Sequence, residues 1–389
     1  MPAVSIVLPT YNRGDVLGRA IDSVRRQSFT DWELLLIDDG STDGTAERWT
    51  GVDPRIVVVR QENAGVYTAR NNGLARARAD WITFLDSDDE WYPHYLELVT
   101  AFLAHDPGAA YVTTEFWEDW GNGPSERHDL VEVRDKYPRR AALVGSALYA
   151  MPPGETDPYL RLYATREPIG GWGRGVLARA GVDGAHVYRG RIFEHLRFGY
   201  LNWLPTTMIT RRALEAVGPF ATHTRSAADY HFLCRLARAF PAALIAVPCA
   251  TKHERARGGQ QLAQDHLATG QGAYRFAVNM LGFFDEIFVA PSGGDPEIAL
   301  LRRHASLAAA RAALSLGLRA EARAHLREAA GLRRTLWRAY PALAATWIAP
   351  TDRALAAGYR GTRRVGDVVR RVARGELTLG RIARRLFDR

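Results

Sequence analysis

Two short acidic clusters in the first hundred residues have the composition of a metal site: Asp38-Asp39-Gly40-Ser41 and Asp86-Ser87-Asp88-Asp89. Each follows directly on an apolar run. Carboxylates held close together repel one another unless a cation lies between or near them. Because Mg²⁺ and Mn²⁺ prefer carboxylate oxygens together with substrate phosphates, the clusters predict a divalent ion that holds a phosphate-bearing ligand. The alternative is that these Asp and Ser residues only cap helices and form turns.

The clusters must be positioned by the strands and helices around them. The apolar runs predict strands over 4–8, 34–37, 56–59 and 81–85. Helical patterns follow the first three strands, at 16–24, 45–50 and 66–78, and a further helix is expected to begin near Pro93. This alternation predicts βαβ units in an α/β fold with a mostly parallel sheet and helices on both faces. Since ligands bind beyond the carboxyl ends of such strands, we expect both clusters and the segment from Pro9 to Asn12 at one binding edge.

Composition and charge exclude several classes of protein. The 389 residues are 47% hydrophobic and 24% charged, which excludes a mostly disordered chain. Two cysteines are too few for a disulfide framework or a Cys-based zinc site, and they indicate a reducing compartment. The N-terminus lacks the basic segment of a signal peptide, and no apolar run approaches the roughly 20 residues of a membrane span. A cytoplasmic location is therefore expected.

The motifs taken together resemble the family 2 glycosyltransferases of the GT-A fold, which are inverting nucleotide-sugar transferases. The matching segments are VSIVLPTYNR at 4–13, LLIDDGSTDGT at 35–45, NAGVYTARNNGLARARADWITFLDSDDEW at 63–91, MITRRALEAVGPF at 208–220 and SAADYHFLCRLA at 226–237. The resemblance implies a GT-A, Rossmann-like sheet followed by a helical C-terminal region. It also implies a nucleotide-diphosphate-sugar donor. UDP is favoured because uridine is the commonest nucleoside in the donors of the family.

The resemblance also assigns roles to particular residues. Asp86 and Asp88 match the two acids of the family's DxD motif, so that Asp88 would ligate Mn²⁺ or Mg²⁺ and Asp86 would contact the ribose or a metal-bound water. Pro9 and Tyr11 would flank the base, Asp39 would read the base or ribose, and Arg70 would hold the base or the diphosphate. The nucleotide-sugar-binding residues implied in this way are Pro9, Tyr11, Asp39, Arg70 and Asp86.

The general base is expected from a later segment. Family members usually carry Glu-Asp there, and this chain has Ala228-Asp229, so Asp229 is the predicted base that takes the acceptor's proton. Alternatively, Asp229 caps the following helix, a position that Asp favours. His253 resembles a residue that relatives place near the diphosphate, and it is predicted as a metal ligand or phosphate contact. The alternative for His253 is a surface side chain in a basic loop.

Four segments are predicted: 1–115 for the donor, 116–258 for the acceptor and the base, a helical region at 259–350, and basic amphipathic helices at 351–389. The aromatic-rich part of the second segment either stacks on sugars or builds a core. The glycine-rich stretch at 169–175 is predicted to be a mobile loop. Residues 300–316 and 320–332 are predicted to form a helical hairpin that breaks at Gly317.

The basic residues concentrate at the C-terminus, where residues 351–389 carry a net charge of +7 out of +8 for the whole chain. An apolar stripe runs beside the arginines, with Val365, Val368, Val369 and Val372 at helical spacing. Such a helix is suited to an anionic membrane surface, and peripheral attachment to the inner face of the cytoplasmic membrane is one expectation. The other is a helix packed on the protein with a solvated arginine face. Nucleic-acid binding is disfavoured because the segment lacks interleaved aromatic residues.

The leading functional hypothesis is a metal-dependent, inverting transferase that moves a sugar from a nucleotide-diphosphate-sugar to a glycan or lipid-linked glycan acceptor. Its expected setting is the synthesis of cell-envelope or extracellular polysaccharide. The alternative is a non-catalytic glycan-binding or scaffold protein of the same fold. A nucleotidyltransferase is disfavoured, because the segment PTYNRGD at 9–15 is not the glycine-rich loop which that reaction requires.

Overall fold

The computed structural model describes residues 1–119, 125–142, 146, 148, 154–224, 226–253, 270–290 and 294–331. Within these ranges, one sheet contains eleven strands. They are β1 Val4–Thr10, β2 Trp32–Asp38, β3 Ile56–Arg60, β4 Trp81–Phe84, β5 Glu90–Trp91, β6 Tyr111–Asp119, β7 Glu126–Arg127, β8 Thr165–Pro168, β9 His186–Gly190, β10 Thr207–Thr210 and β11 Ala242–His253.

Helices connect and follow these strands in the described part of the chain. They are α1 Leu17–Arg25, α2 Thr45–Trp49, α3 Val66–Leu74, α4 Tyr95–His105, α5 His128–Val131, α6 Tyr137–Ala142, α7 Gly171–Ala180, α8 Phe193–Leu196, α9 Arg211–Val217, α10 Ala228–Ala239, α11 Gly270–Phe284, α12 Pro296–Ser315 and α13 Arg319–Gly331. Every helix in these ranges is too short or too polar to cross a bilayer.

The sheet runs in the order β3-β2-β1-β4-β10-β6-β11-β9-β8. Strands β1 to β4 are mutually parallel, and β6 and β11 run in the same direction. Strand β10 lies antiparallel between β4 and β6. All seven residues of β1 and of β2 are buried, which is the pattern of parallel strands covered on both faces. The predicted α/β fold with a mostly parallel sheet is confirmed.

The order of the strands fixes where a ligand can bind. Strand β1 lies between β2 and β4, so the chain leaves β1 toward one edge of the sheet and returns to β4 on its other side. At such a reversal the connections diverge and leave a crevice at the carboxyl ends of the strands. Thr10 and Asp38 are paired across the last position of the β1–β2 register. The first acidic cluster therefore lies at this edge, as predicted.

The prediction of a mobile loop at 169–175 is wrong, because helix α7 begins at Gly171. Trp172 packs against Phe102 of α4, with ring centroids 5.6 Å apart. A side chain on Gly173 would lie 2.6 Å from Ile169 Cγ2 and 3.5 Å from Leu98 Cδ1. The glycine therefore permits close helix packing here, and tertiary contacts outweigh its unfavourable helix propensity.

The chain divides into two compact units. The first comprises Met1–His266 with Gly282–Leu301, and the second comprises Leu267–Leu281 with Arg302–Arg389. Gly317 has a φ of 73° between α12 and α13, which confirms the predicted break in the helical hairpin. The segment boundaries predicted after residues 115, 258 and 350 stay predictions. The basic helices predicted at 351–389 lie outside the described residues.

Candidate active site

Asp39, the predicted contact to the base or ribose, organises the loop that leads into α3. Its buried carboxylate accepts hydrogen bonds from Gln61 Nε2 at 2.7 Å and from the backbone amides of Ala64 and Gly65, each at 2.9 Å. Carboxylates that accept several backbone hydrogen bonds are held firmly in place. Asp39 thereby connects the end of β2 to the start of α3, the helix that carries Tyr67 and Arg70.

Pro9 and Tyr11 lie at the carboxyl end of β1, where the first is buried and the second is 44% exposed. The loop that continues from Tyr11 is held in place by Asn12, whose backbone has a φ of 50°. The Asn12 amide donates to Ser41 Oγ at 2.9 Å, and its side-chain oxygen accepts from the Thr42 amide at 2.8 Å. The Tyr11 ring is thus presented to solvent from an ordered loop, an arrangement on which a planar base can stack.

Arg70 pairs with the first acid of the DxD segment. Its Nη2 donates to Asp86 Oδ1 at 2.5 Å, and the Arg70 side chain is 5% exposed. Burial disfavours the charged guanidinium, but the charges of Asp86 and Asp229 outweigh it and raise the pKa of Arg70. This arginine therefore stays cationic beside two predicted site carboxylates, one that follows β4 and one in the first turn of α10.

Asp88 and Asp89 complete the second acidic cluster. Burial, reinforced by the charge of Asp86, raises the pKa of Asp88. Burial also raises the pKa of Asp89, and the charges of Asp88 and Asp86 add to the effect. Two arginines, Arg13 and Arg19, partly offset this at Asp88, and Arg19 also donates to the Asp88 carbonyl oxygen.

The residues at this cluster fit a divalent cation. Crowded carboxylates with raised pKa values would be relieved by a bound positive charge. The donors are oxygens, which Mg²⁺ and Mn²⁺ prefer. Within the described ranges, no three His, Cys, Asp or Glu side chains form a ready-made metal cage. Mg²⁺ usually takes one or two carboxylates from a protein and its remaining ligands from substrate phosphates and water, which does not require such a cage.

His253 lies at the end of β11, beside the DxD segment. Its backbone amide donates to Asp89 Oδ1 at 2.9 Å. The imidazole contacts Glu90 Oε1 through Nε2 at 3.1 Å and Asp119 Oδ2 through Nδ1 at 3.4 Å. The side chain is 14% exposed, so His253 is not a freely exposed loop residue. Its role as a metal ligand stays a prediction.

Asp229, the predicted base, lies in the first turn of α10. Its Oδ2 accepts a hydrogen bond from Tyr200 at 3.0 Å, and its Oδ1 accepts from the Tyr67 hydroxyl at 3.3 Å and from the Tyr230 amide at 3.0 Å. The N-cap of the helix is Ala227, with a φ of 64° and no side-chain cap. Asp229 is therefore not the N-cap, and its carboxylate is held mainly by groups outside its own helix.

The structure brings most of the predicted residues to one edge of the sheet. Asp86, Arg70 and Asp229 form one continuous set, and Asp88 with Asp89 adjoins Asp86. Sequence reasoning missed four residues of this region: Tyr67, Tyr200, Arg13 and Arg19. Tyr67 had a detectable signal, since it precedes Arg70 by three positions on a predicted helix and so shares its face. Tyr200 had none, because only the tertiary fold brings it to Asp229.

The arrangement supplies two complementary chemical functions. A carboxylate in the position of Asp229 can accept a proton from a nearby hydroxyl. The acidic cluster, with a cation bound, can stabilise charge that develops on a departing phosphate. The positive charge of Arg70 interacts with both Asp86 and Asp229, so it can partly neutralise either carboxylate.

Comparison with known proteins gives matches consistent with this geometry. Residues 5–154 match the family model described as Glycosyl transferase family 2. TuaG of Bacillus subtilis (strain 168), provisionally named a teichuronic acid biosynthesis glycosyltransferase, is 42% identical over 106 residues, which is 26% of this chain and 42% of TuaG. Glycosyltransferase GlyA of Streptococcus pneumoniae serotype 4 (strain ATCC BAA-334 / TIGR4) is 27% identical over 215 residues, or 51% of this chain and 27% of GlyA. The chain thus spans less than half the length of these two relatives.

A solved structure supports the fold. The crystal structure of S. aureus TarS residues 1–349 in complex with UDP-GlcNAc has a TM-score of 0.51 and 14% identity, and the match covers 85% of this chain and 81% of that chain. At this identity the likeness concerns the fold alone. Together with the family match, it bears out the family and fold that the motifs predicted. Residues 5–154 are thus similar to the glycosyltransferase family 2 domain, and the fold is that of the GT-A glycosyltransferases.

Proposed function

We propose that the protein is a metal-dependent, inverting glycosyltransferase of the hexosyltransferase type. It would move a sugar from a nucleotide-diphosphate-sugar, with UDP favoured, to the hydroxyl of a glycan or lipid-linked glycan acceptor. The observation that carries the proposal is the position of Asp229, which interacts electrostatically with the Arg70 guanidinium that is ion-paired with Asp86. A carboxylate suited to proton transfer therefore adjoins carboxylates suited to a metal-bound diphosphate.

The proposed reaction is a single displacement. Asp229 takes the proton of the acceptor hydroxyl. At the same time, the acceptor oxygen attacks the anomeric carbon of the sugar from the face opposite the leaving group. Asp88 would hold Mn²⁺ or Mg²⁺, which supplies electrostatic stabilisation of the departing diphosphate. Arg70 and Asp86 orient the nucleotide portion, and the exposed Tyr11 ring packs against the base.

The biological setting is proposed from the relatives. TuaG bears a name that refers to teichuronic acid biosynthesis, and WcaA of Escherichia coli (strain K12) bears one that refers to colanic acid biosynthesis. Both names concern polysaccharides of the cell envelope or the cell exterior. We therefore infer that this protein acts in the synthesis of such a polysaccharide or glycoconjugate, with its basic C-terminus docked on the inner face of the cytoplasmic membrane.

Donor binding and donor hydrolysis test the proposal without knowledge of the acceptor. The purified chain would be screened with nucleotide sugars, with and without Mn²⁺, by thermal shift and by release of the free nucleotide. A true donor stabilises the folded state by mass action, and at about 100 times its Kd the gain is about 2.7 kcal/mol. We expect one donor class to raise the melting temperature only with metal, and to be hydrolysed slowly as water replaces the acceptor.

Two variants separate the proposed roles. Asp229→Asn should keep the donor-dependent thermal shift and lose at least about 100-fold in hydrolysis, since it removes the base. Asp88→Asn should lose the metal-dependent part of the shift itself. Asp183→Asn, at an exposed loop position, is the matched control. Absence of turnover for every nucleotide sugar, with binding of glycans retained, would instead support the non-catalytic glycan-binding alternative. Inversion would be checked by NMR of the anomeric proton of a transferred product.

A further inference from the structure

The Asp229 carboxylate is surrounded by donors from three separate parts of the chain. Tyr200 precedes β10, Tyr67 belongs to α3, and the third donor is the amide of the next residue, Tyr230. An ionised carboxylate offers about four acceptor positions. Three are taken by these donors, which leaves about one for a hydroxyl to be deprotonated. We propose that Tyr67 and Tyr200 are positioning residues that aim the free lone pair of Asp229 at the acceptor, an inference that rests on the proposed function.

The two hydroxyls are held firmly because their rings are packed. The Tyr200 ring lies 6.0 Å from the Tyr230 ring, and the Tyr67 ring is stacked 6.2 Å from Phe220. Tyr67 is only 6% exposed. A packed aromatic side chain loses little further freedom when its hydroxyl forms a hydrogen bond, so each contact is available at low entropic cost. The tyrosine hydroxyls therefore hold the two carboxylate oxygens of Asp229 in a fixed orientation.

The start of helix α10 explains why outside support is required. The residue before Asp229 is Ala228, which has no polar side chain that could orient the Asp229 carboxylate. The N-cap, Ala227, is strained at a φ of 64° and offers no side-chain acceptor or donor. Because the helix terminus gives Asp229 only the Tyr230 amide, the tyrosine hydroxyls supply the remaining constraints.

Positive charge and hydroxyl donors face the Asp229 carboxylate. Arg70 of α3 interacts with it electrostatically, and both tyrosine hydroxyls donate to it. Burial raises the pKa of Tyr67 and of Tyr200, and the negative charge of Asp229 raises both further. The hydroxyls therefore remain protonated donors across the neutral range. In general, removing a hydrogen bond donated to a carboxylate favours the protonated form of that carboxyl group.

The test compares Tyr67→Phe and Tyr200→Phe, singly and together, with the wild-type full chain. The substrate is the nucleotide sugar that the wild-type chain hydrolyses. Each change removes one oxygen and keeps the packed ring. We expect kcat to fall about tenfold in each single variant, because a hydrogen bond to a charged group is lost, while KM for the donor changes less than about twofold. We also expect the acidic limb of the kcat/KM profile to move up by about one pH unit.

Tyr188→Phe is the matched control, since it removes a Tyr hydroxyl that donates to the carboxylate of Asp157 at 2.7 Å, away from Asp229. It should leave kcat and the pH profile unchanged. The inference is overturned if both single variants keep the wild-type kcat and acidic limb while Asp229→Asn is inactive. If either variant fails to fold, as judged by its melting curve, the other alone decides the outcome. A wild-type chain that hydrolyses no nucleotide sugar would overturn the proposed function, and with it this role.

Discussion

Asp129 of α5 is a fully buried carboxylate outside the proposed catalytic set. Burial raises the pKa of Asp129 to about 6, and the nearby charges of Glu132 and Glu118 act in the same direction, while that of His128 opposes them. A side chain that is disfavoured in its charged form lowers the stability of the fold once it ionises. Asp129 therefore makes the free energy of unfolding depend on pH in a range where most other carboxyl groups are already ionised.

We predict that Asp129→Asn stabilises the protein at neutral pH. The folded-state pKa of Asp129, about 6, lies above its ordinary value of 3.8, so the folded state keeps a proton which the unfolded chain releases between these values. This contribution to stability is complete below pH 3.8 and is lost as the pH rises toward 6. At about 1.36 kcal/mol for each pH unit, the total is about 3 kcal/mol. Asparagine cannot ionise, so it should recover up to that amount at pH 7.5.

Urea denaturation at pH 7.5 and pH 4.5 measures the effect. The advantage of Asp129→Asn should shrink to about 1 kcal/mol or less at pH 4.5, where the wild-type carboxyl is largely protonated in the folded state. Asp183→Asn, at an exposed loop position, should show no such dependence. An equal gain at both pH values would mean that the charge of Asp129 is not the cause.

The sequence supports a prediction about a single residue where that residue belongs to a local motif. Asp86, Asp88 and Asp229 belong to short patterns whose residue types and neighbours suggest their chemistry before any fold is known. Tyr200 contacts Asp229 across 29 positions of the chain, and its own neighbours contain no signal of that contact. The same holds for Arg19, whose contact with Asp88 joins α1 to the DxD segment. Such contacts depend on the path of the chain between the two residues, which residue type and spacing do not encode locally.

At the level of elements, the close approach of α3 to β1 positions Arg70 and Tyr67. Gly73, near the end of α3, lies directly over Val7 of the central strand. A Cβ atom at Gly73 would overlap Val7 Cγ1 and lie 3.1 Å from Val7 Cγ2. Val7 is fully buried and β-branched, so it has little freedom to rotate away. The glycine thereby sets the distance between the helix and the sheet.

We predict that Gly73→Ala destabilises the fold by about 1–3 kcal/mol, the usual cost of overpacking a dense core. Alanine is the better helix former by about 1 kcal/mol, so a loss of stability would run against helix propensity. Thermal and urea unfolding measure the change. The loss of stability should be accompanied by weaker donor binding, since the helix that carries Arg70 must shift.

Two comparisons make this prediction specific. Gly282 is also within a helix, and a Cβ there would have no neighbour within 4 Å, so Gly282→Ala should be neutral or stabilising. In a Val7→Ala background the overlapping methyl groups are absent, and Gly73→Ala should cost less than in the wild type. The same cost in both backgrounds would show that contact with Val7 is not responsible.

The sequence predicts the βαβ half of the fold more completely than the other half. The strands predicted at 4–8, 34–37, 56–59 and 81–85 all lie within or overlap the observed β1 to β4. Their continuous apolar character reflects burial on both faces, a property of each strand by itself. The insertion of β10 between β4 and β6 is different in kind, because it pairs residues more than 90 positions apart. Hydrophobic periodicity identifies a strand and does not identify its partner.

At the level of the whole molecule, positive charge is concentrated in one segment. Residues 351–389 carry a net charge of +7, and the rest of the chain is close to neutral. This segment lies outside the described residues. In the described region, the acidic cluster at Asp86 to Asp89 is partly balanced by individual arginines such as Arg70 and Arg19. The donor and the membrane would therefore be recognised by separate means.

We predict that the C-terminal segment mediates binding to anionic vesicles independently of donor chemistry. Each basic residue near such a surface contributes about 1 kcal/mol, and this contribution is screened within a Debye length of about 8 Å at physiological salt. Replacing Arg370, Arg371 and Arg374 with Gln should weaken cosedimentation with phosphatidylglycerol vesicles by at least about tenfold, and deletion of residues 360–389 should abolish it. Both variants should hydrolyse donor in solution at the wild-type rate. Unchanged vesicle binding after the deletion would place the membrane contact elsewhere in the chain, and binding insensitive to salt would argue against an electrostatic origin.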